Sequence, residues 1–444
     1  MKLQLLRIFI LILLLFSCTF KKGPHGKRTI SSETNSLFEE MCKKGNNTKE
    51  RMVSSNTHIA LGLHTDFGEI SYTSWLRNID PDELSFENGA YLSCANNNPI
   101  ACTGTKHFPN LSISGLIDPH VQVSKSASFD MRDSKHFPLI IPSLNSVKSG
   151  ACTIMTSHIP FTNKNGNTEL CSINKSCIEY IRKEMNFNGL IVTDEIMVMK
   201  PVLYEIWSQK YKPIDMLKLE EWNDIIWKVD TSVPLDPSTA EEFYEAIENV
   251  FDRKFNYVYN SLLNRECGGE KYCNDNIKEN IKNDLLDING SQRAESAILA
   301  GNDLIMVFHE AGQQEIRLNK MVESLASSAM NNTVLLKRIN ESVLRILKKK
   351  ESIFGKDLYK NTGLDLAEYT PNHLLNFLTI KEKIKQVILP SGEWPGETEL
   401  GIKLEMGSLY YMGPAEPKNG SKSRNFSGKN KMKIPPLFIG DVFR

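Results

Sequence analysis

The chain has 444 residues, more than one ordinary domain and enough for a single barrel of about 250 residues with insertions and a tail. Lysine plus arginine (53) equals aspartate plus glutamate (53), so the net charge is zero and no global positive field exists to coat nucleic acid. Hydrophobic residues at 41% and charged ones at 24% are far from a disordered composition, so a sizeable core is expected.

Met1 to Phe20 opens with Lys2 and Arg7, continues through an apolar run, and closes on Leu15-Phe16-Ser17-Cys18. The run is too short to span a bilayer core and reads as a signal peptide over residues 1–17. Its end resembles the lipobox of bacterial lipoproteins, which makes Cys18 the candidate lipid anchor of an exported, membrane-anchored protein. Residues 18–55, rich in Lys, Gly, Ser, Thr and Asn, read as a tether.

From residue 56 short apolar runs alternate with helical patterns: His58–Leu63, Pro99–Thr105, Cys152–Ser157, Gly189–Thr193 and Asp303–Phe308. Such alternation predicts βα units around a parallel sheet, an α/β fold. Ser172–Met185, Ser238–Leu263 and Asn331–Lys350 carry apolar stripes at helical spacing, which read as core faces. Residues 56–354 therefore form the expected main domain, with an insertion at 201–290. Residues 355–444 read as an extension, largely unstructured over 413–434.

Eight cysteines remain beyond Cys18: Cys42, Cys94, Cys102, Cys152, Cys171, Cys177, Cys267 and Cys273. Cys171 with Cys177, and Cys267 with Cys273, are spaced for local bridges in an exported chain, although free thiols fit Cys102 and Cys152 equally well. No zinc pattern occurs, and no metal or organic cofactor is implied.

In a βα barrel the reactive groups follow the carboxyl ends of strands. The run Pro99–Thr105 ends in Lys106-His107, Cys152–Ser157 in His158, and Gly189–Thr193 in Asp194-Glu195, while Asp118-Pro119-His120 lies on a loop between the first two. Alone, Asp194 is as readily a helix cap as a catalytic carboxylate, and an Asp-x-His pair is usually a loop hydrogen bond.

Thr103-Gly104-Thr105-Lys106-His107-Phe108-Pro109, Asp118-Pro119-His120, Met155-Thr156-Ser157-His158 and Asn186 through Glu195 together resemble glycoside hydrolase family 3, in particular its bacterial β-N-acetylhexosaminidases. Ser172–Glu184, Ala297–Val307 and Arg338–Leu347 are similar to further elements of that family in the same order. The resemblance implies a TIM-type (β/α)8 barrel, with Asp194 as nucleophile and His120 as acid/base oriented by Asp118. Lys106 and His107 would bind sugar, and His158 would line the floor of the pocket, as readily in a structural as in a substrate-binding role. The implied substrate is a carbohydrate, terminal N-acetylglucosamine of peptidoglycan- or chitin-derived oligosaccharides. A second Lys-His-Phe-Pro, at Lys135-His136-Phe137-Pro138, reads as coincidence.

Two departures stand out. Asn110-Leu111-Ser112 replaces the glycine-rich continuation of the family's Lys-His-Phe-Pro motif. The front of the barrel also looks short, as if its first two strands were missing. The expectation is thus an incomplete barrel with a helical insertion before its last strand, whose exposed edges call for a cover, either the aromatic residues of the 201–290 insertion or a protein partner. A catalytically impaired scaffold or sugar-binding lipoprotein and a β-glucosidase are the alternative readings.

Overall fold

The computed structural model describes residues 59–64, 102–114, 128–197, 200–211, 237–309, 312–359, 369–392, 400, 403–411, 434 and 436–440, together with Glu39 and Lys43. The chain divides into two compact units, Met1–Glu40 and Met41–Arg444, and the strands and helices from Ile59 onward lie in the second.

In chain order the strands are β1 (Ile59–His64), β2 (Cys102–Phe108), β3 (Phe129–Asp130), β4 (Thr153–Thr156), β5 (Pro160–Thr162), β6 (Thr168–Leu170), β7 (Leu190–Thr193), β8 (Ile305–Val307), β9 (Ile388–Gly392), β10 (Ser408–Tyr411) and β11 (Leu437–Gly440). Three of them, β3, β5 and β6, make a small separate sheet. The other eight form one sheet in the order β7-β4-β2-β1-β11-β10-β9-β8, and every neighbouring pair is parallel.

Its two outer strands also meet. Val192 bridges Leu304 in parallel register, the Thr193 N–H donates to the Leu304 carbonyl at 3.0 Å, and the Leu304 N–H donates to the Ile191 carbonyl at 3.0 Å. The eight strands therefore follow one another around a closed ring in chain order, the connectivity of a (β/α)8 barrel.

Closure corrects the expectation of an incomplete barrel. Residues 355–444, expected outside it, supply three strands, which stand in the ring between β8 and β1. Two strands were expected to be missing at the front, and three strands from the C-terminal segment complete the ring. A ring held by strand-to-strand hydrogen bonds is indifferent to the end of the sequence from which a strand arrives. The strand Ile305–Val307 is consequently fifth in the ring rather than last.

The helices are α1 (Phe137–Lys148), α2 (Lys175–Glu179, continued by a π turn over Tyr180–Glu184), α3 (Lys200–Lys210), α4 (Pro237–Cys267), α5 (Asp275–Leu286), α6 (Ser291–Ala300), α7 (Gln314–Asn331), α8 (Thr333–Phe354), α9 (Pro371–Phe377) and α10 (Ile380–Val387). Asn174 caps α2 by accepting from the Ser176 and Cys177 N–H groups, and Asn332 caps α8 in the same way. The apolar stripe expected on α8 buries Leu335, Ile339, Val343, Ile346 and Leu347 in the main core, beside Leu304, Ile305, Ile388 and Leu389 of the strands. All four residues of β7 are buried, as expected of a parallel strand covered on both faces. Gly189 leads into β7 where a Cβ would collide with the Cys152 carbonyl, so only glycine lets β7 approach β4 there.

The amino ends of β7 and β8 are locked by one carboxylate. Asp303, fully buried, pairs with Arg182, Arg338 and Arg345, receives the Ser342 hydroxyl at 3.3 Å and accepts the Ile191 N–H at 3.0 Å. Further round the ring, fully buried Lys350 of α8 donates to Gln386 Oε1 of α10 at 2.6 Å and to the Gly407 carbonyl at 2.7 Å, just before β10. Burial holds this amine well below the usual lysine range.

Between β7 and α6, Trp207 of α3 packs with Val258, Leu262 and Leu285 in a separate cluster, flanked by the Phe251, Phe255 and Tyr259 rings of α4. Aromatic packing is what the insertion's described residues show; Trp222 and Trp227 lie outside them.

Two local bridges form, Cys171–Cys177 and Cys267–Cys273, and Cys152 is also disulfide-bonded rather than a free thiol. The signal sequence, Cys18 and the tether lie outside the described residues. Among those described, no helix is long and apolar enough to cross a membrane.

Candidate active site

Because β2, β4 and β7 are neighbours and parallel, the residues at their carboxyl ends share one end of the ring. Lys106 and His107 belong to β2 itself and are each 6% exposed. Their shared peptide is cis, as is Phe108–Pro109. Asp194 follows β7, 7% exposed, with its N–H donating to the Thr156 carbonyl of β4 at 2.8 Å. Its Oδ1 accepts the Glu195 N–H at 2.9 Å, and its Oδ2 lies 3.9 Å from His107 Nε2. A carboxylate and an imidazole predicted from strands more than 80 residues apart thus face each other across β4.

His158 follows β4 and is almost fully enclosed. Its Nδ1 contacts the Ser172 hydroxyl at 2.8 Å, and its Nε2 donates to the Glu195 carbonyl at 2.8 Å. With both nitrogens engaged within the chain, His158 takes the structural one of its two expected roles. It pins the backbone directly after Asp194. Asp118 and His120 lie outside the described residues.

The loop after Asp194 is held from three sides. Glu195 Oε1 accepts the Met197 N–H at 2.7 Å and the Phe308 N–H at 2.8 Å, the latter joining the exits of β7 and β8. Buried Arg293 of α6 donates to the Met197 carbonyl at 2.7 Å and the Ile196 carbonyl at 3.3 Å. Its guanidinium is anchored by Asp287, with Nε 3.3 Å from Oδ2. Sequence reasoning missed Arg293 and Asp287, for which no motif stands out.

Asn110, in the altered continuation of the β2 motif, is fully buried and donates to the Leu139 carbonyl of α1 at 3.0 Å. That loop is therefore tied to a helix where the family pattern has glycines. The second Lys-His-Phe-Pro has no part in the site: Lys135 and His136 lie in the 3-10 turn Ser134–His136 that leads into α1, and His136 Nδ1 accepts the Asp130 N–H at 2.8 Å.

One further group stands at this end of the ring. His309, two residues past β8, is 4% exposed, and neither ring nitrogen has a hydrogen-bond partner. Desolvation, with Arg317 and Arg293 nearby, lowers its pKa from 6.5 to about 4. No cluster of three or more His, Cys, Asp or Glu able to hold a metal ion occurs among the described residues.

Comparison with known proteins adds to this geometry. Residues 83–209 match the family model described as the glycosyl hydrolase family 3 N terminal domain, a stretch that contains Lys106, His107, His158 and Asp194. No curated protein matches the chain. Among solved structures it is similar to a β-N-acetylhexosaminidase from Beutenbergia cavernae (TM-score 0.40, 13% identity, 71% of this chain and 68% of that one). It is also similar to a glycoside hydrolase family 3 β-N-acetylglucosaminidase from Paenibacillus (0.41, 13%, 92% and 70%) and to the β-N-acetylglucosaminidase from Thermotoga maritima (0.39, 12%, 90% and 77%).

Proposed function

We propose that the chain is a retaining glycoside hydrolase of family 3, an exo-β-N-acetylhexosaminidase removing terminal N-acetylglucosamine from peptidoglycan- or chitin-derived oligosaccharides. The observation that carries the reading is Asp194 at the carboxyl end of β7, 3.9 Å from His107 of the β2 motif, within the stretch that matches the family model. In this reading the Asp194 carboxylate attacks the anomeric carbon and the bond to the leaving oxygen breaks, giving a glycosyl ester. His120, oriented by Asp118, protonates the departing oxygen and then takes a proton from the water that hydrolyses the ester. Lys106 and His107 hydrogen-bond sugar hydroxyls. His158, Glu195 and Arg293 fix the loop, so that the carboxylate needs little reorganisation before attack.

Export and a lipid anchor at Cys18 belong to the same proposal, and the disulfides support an oxidising compartment. The scaffold reading rested on missing front strands and on the altered loop at Asn110-Leu111-Ser112; the closed ring answers the first of these. The test is release of the aryl alcohol from an aryl N-acetyl-β-glucosaminide by the full chain and by Asp194→Asn. Turnover by the first and near-complete loss in the second is expected; equal release from both sinks the assignment, and release from an aryl β-glucoside alone points to a β-glucosidase.

A further inference from the structure

A buried imidazole normally satisfies at least one nitrogen, because each unpaired polar group taken out of water is costly. His158, at the same end of the ring, follows that rule with both nitrogens, and His136 engages Nδ1. His309 satisfies neither, although it is as enclosed as His107 and Asp194. Its position is that of a site residue. It follows the carboxyl end of β8, the strand that closes against β7, one residue beyond the Phe308–Glu195 hydrogen bond. The nearby cations are committed elsewhere: Arg293 to Asp287 and four carbonyls, while Arg317 has a partner of its own. What remains open is a neutral ring with one N–H donor and one lone pair, which suits a neutral group that both donates and accepts.

We infer that His309 is a substrate-contacting residue, its two open nitrogens taking a hydroxyl or the acetamido group of the sugar bound above Asp194. The inference rests on the proposed glycosidase activity and adds a binding group from a strand outside the matched stretch. A ligand-binding imidazole has a signature that a structural one lacks: its removal costs affinity and not stability.

The experiment compares the full chain with His309→Leu and His309→Asn, measuring kcat and KM on an aryl N-acetyl-β-glucosaminide and Tm without ligand. Expected are a KM raised about ten-fold in the leucine variant with kcat within a few-fold, recovery in the asparagine variant, which keeps a donor and an acceptor, and a Tm at or above that of the parent. An active parent with an unchanged KM in His309→Leu overturns the inference alone, and so does a leucine variant that loses Tm or fails to fold. A parent that neither turns over nor binds the glycoside overturns the functional reading, and the inference with it.

Discussion

Asp303 and His309 flank the same three-residue strand, β8, and are treated in opposite ways. At the amino end the buried carboxylate is saturated by three guanidiniums, a hydroxyl and a backbone N–H. At the carboxyl end an equally enclosed imidazole has no partner. The lesson is a division between these two positions: Asp303 is satisfied within the chain and holds strands together, whereas His309 keeps both ring nitrogens open.

Substitutions can break that division. Asp194→Asn removes the proposed nucleophile and is expected to lower kcat/KM by about a thousand-fold or more while leaving Tm unchanged or raised. A loss of Tm with little change in turnover would place Asp194 among the structural groups. Asp303→Asn should do the reverse, costing about 3–5 kcal/mol in denaturant unfolding because three arginines lose their shared counter-charge. Lys350→Met strands Gln386 Oε1 and the Gly407 carbonyl and should cost about 2 kcal/mol, seen as a lower midpoint in urea.

An effect of similar size concerns pH. The His309 pKa falls from 6.5 to about 4 in the fold, so between those values the unfolded chain binds a proton that the folded chain does not. Its contribution to stability is full above 6.5 and is lost as pH falls toward 4. From pH 7 to pH 5 the parent should therefore lose about 2 kcal/mol more than His309→Leu. Parallel unfolding curves for the two proteins would show that this imidazole is not held neutral.

Much of the site was legible because short buried strands ended in polar residues: Lys106 and His107 lie in β2, and Asp194 follows β7. The same rule singles out His309, which directly follows the apolar run Asp303–Phe308, yet no motif drew attention to it. His158 was legible as a strand-end residue but not as a fully engaged one, since Ser172 and Glu195 meet it only in the fold. The last three strands were missed for a different reason. They are four or five residues long, β9 contains Pro390 and ends in Gly392, and β11 follows Pro435 and Pro436 and ends in Gly440, so their local pattern reads as loop. Their pairing with β8, β1 and one another gives them strand structure that no local window reveals.

The central claim is that Asp194 forms a covalent bond to the sugar. Incubating the full chain with a 5-fluoro-N-acetyl-β-glucosaminyl fluoride, which slows breakdown of the ester, and mapping the adduct by peptide mass spectrometry tests it directly. One added fluorosugar on the peptide carrying Asp194 and none in Asp194→Asn is expected; a chain that hydrolyses the glycoside with its adduct on another carboxylate, or with none, rules out Asp194 as the nucleophile.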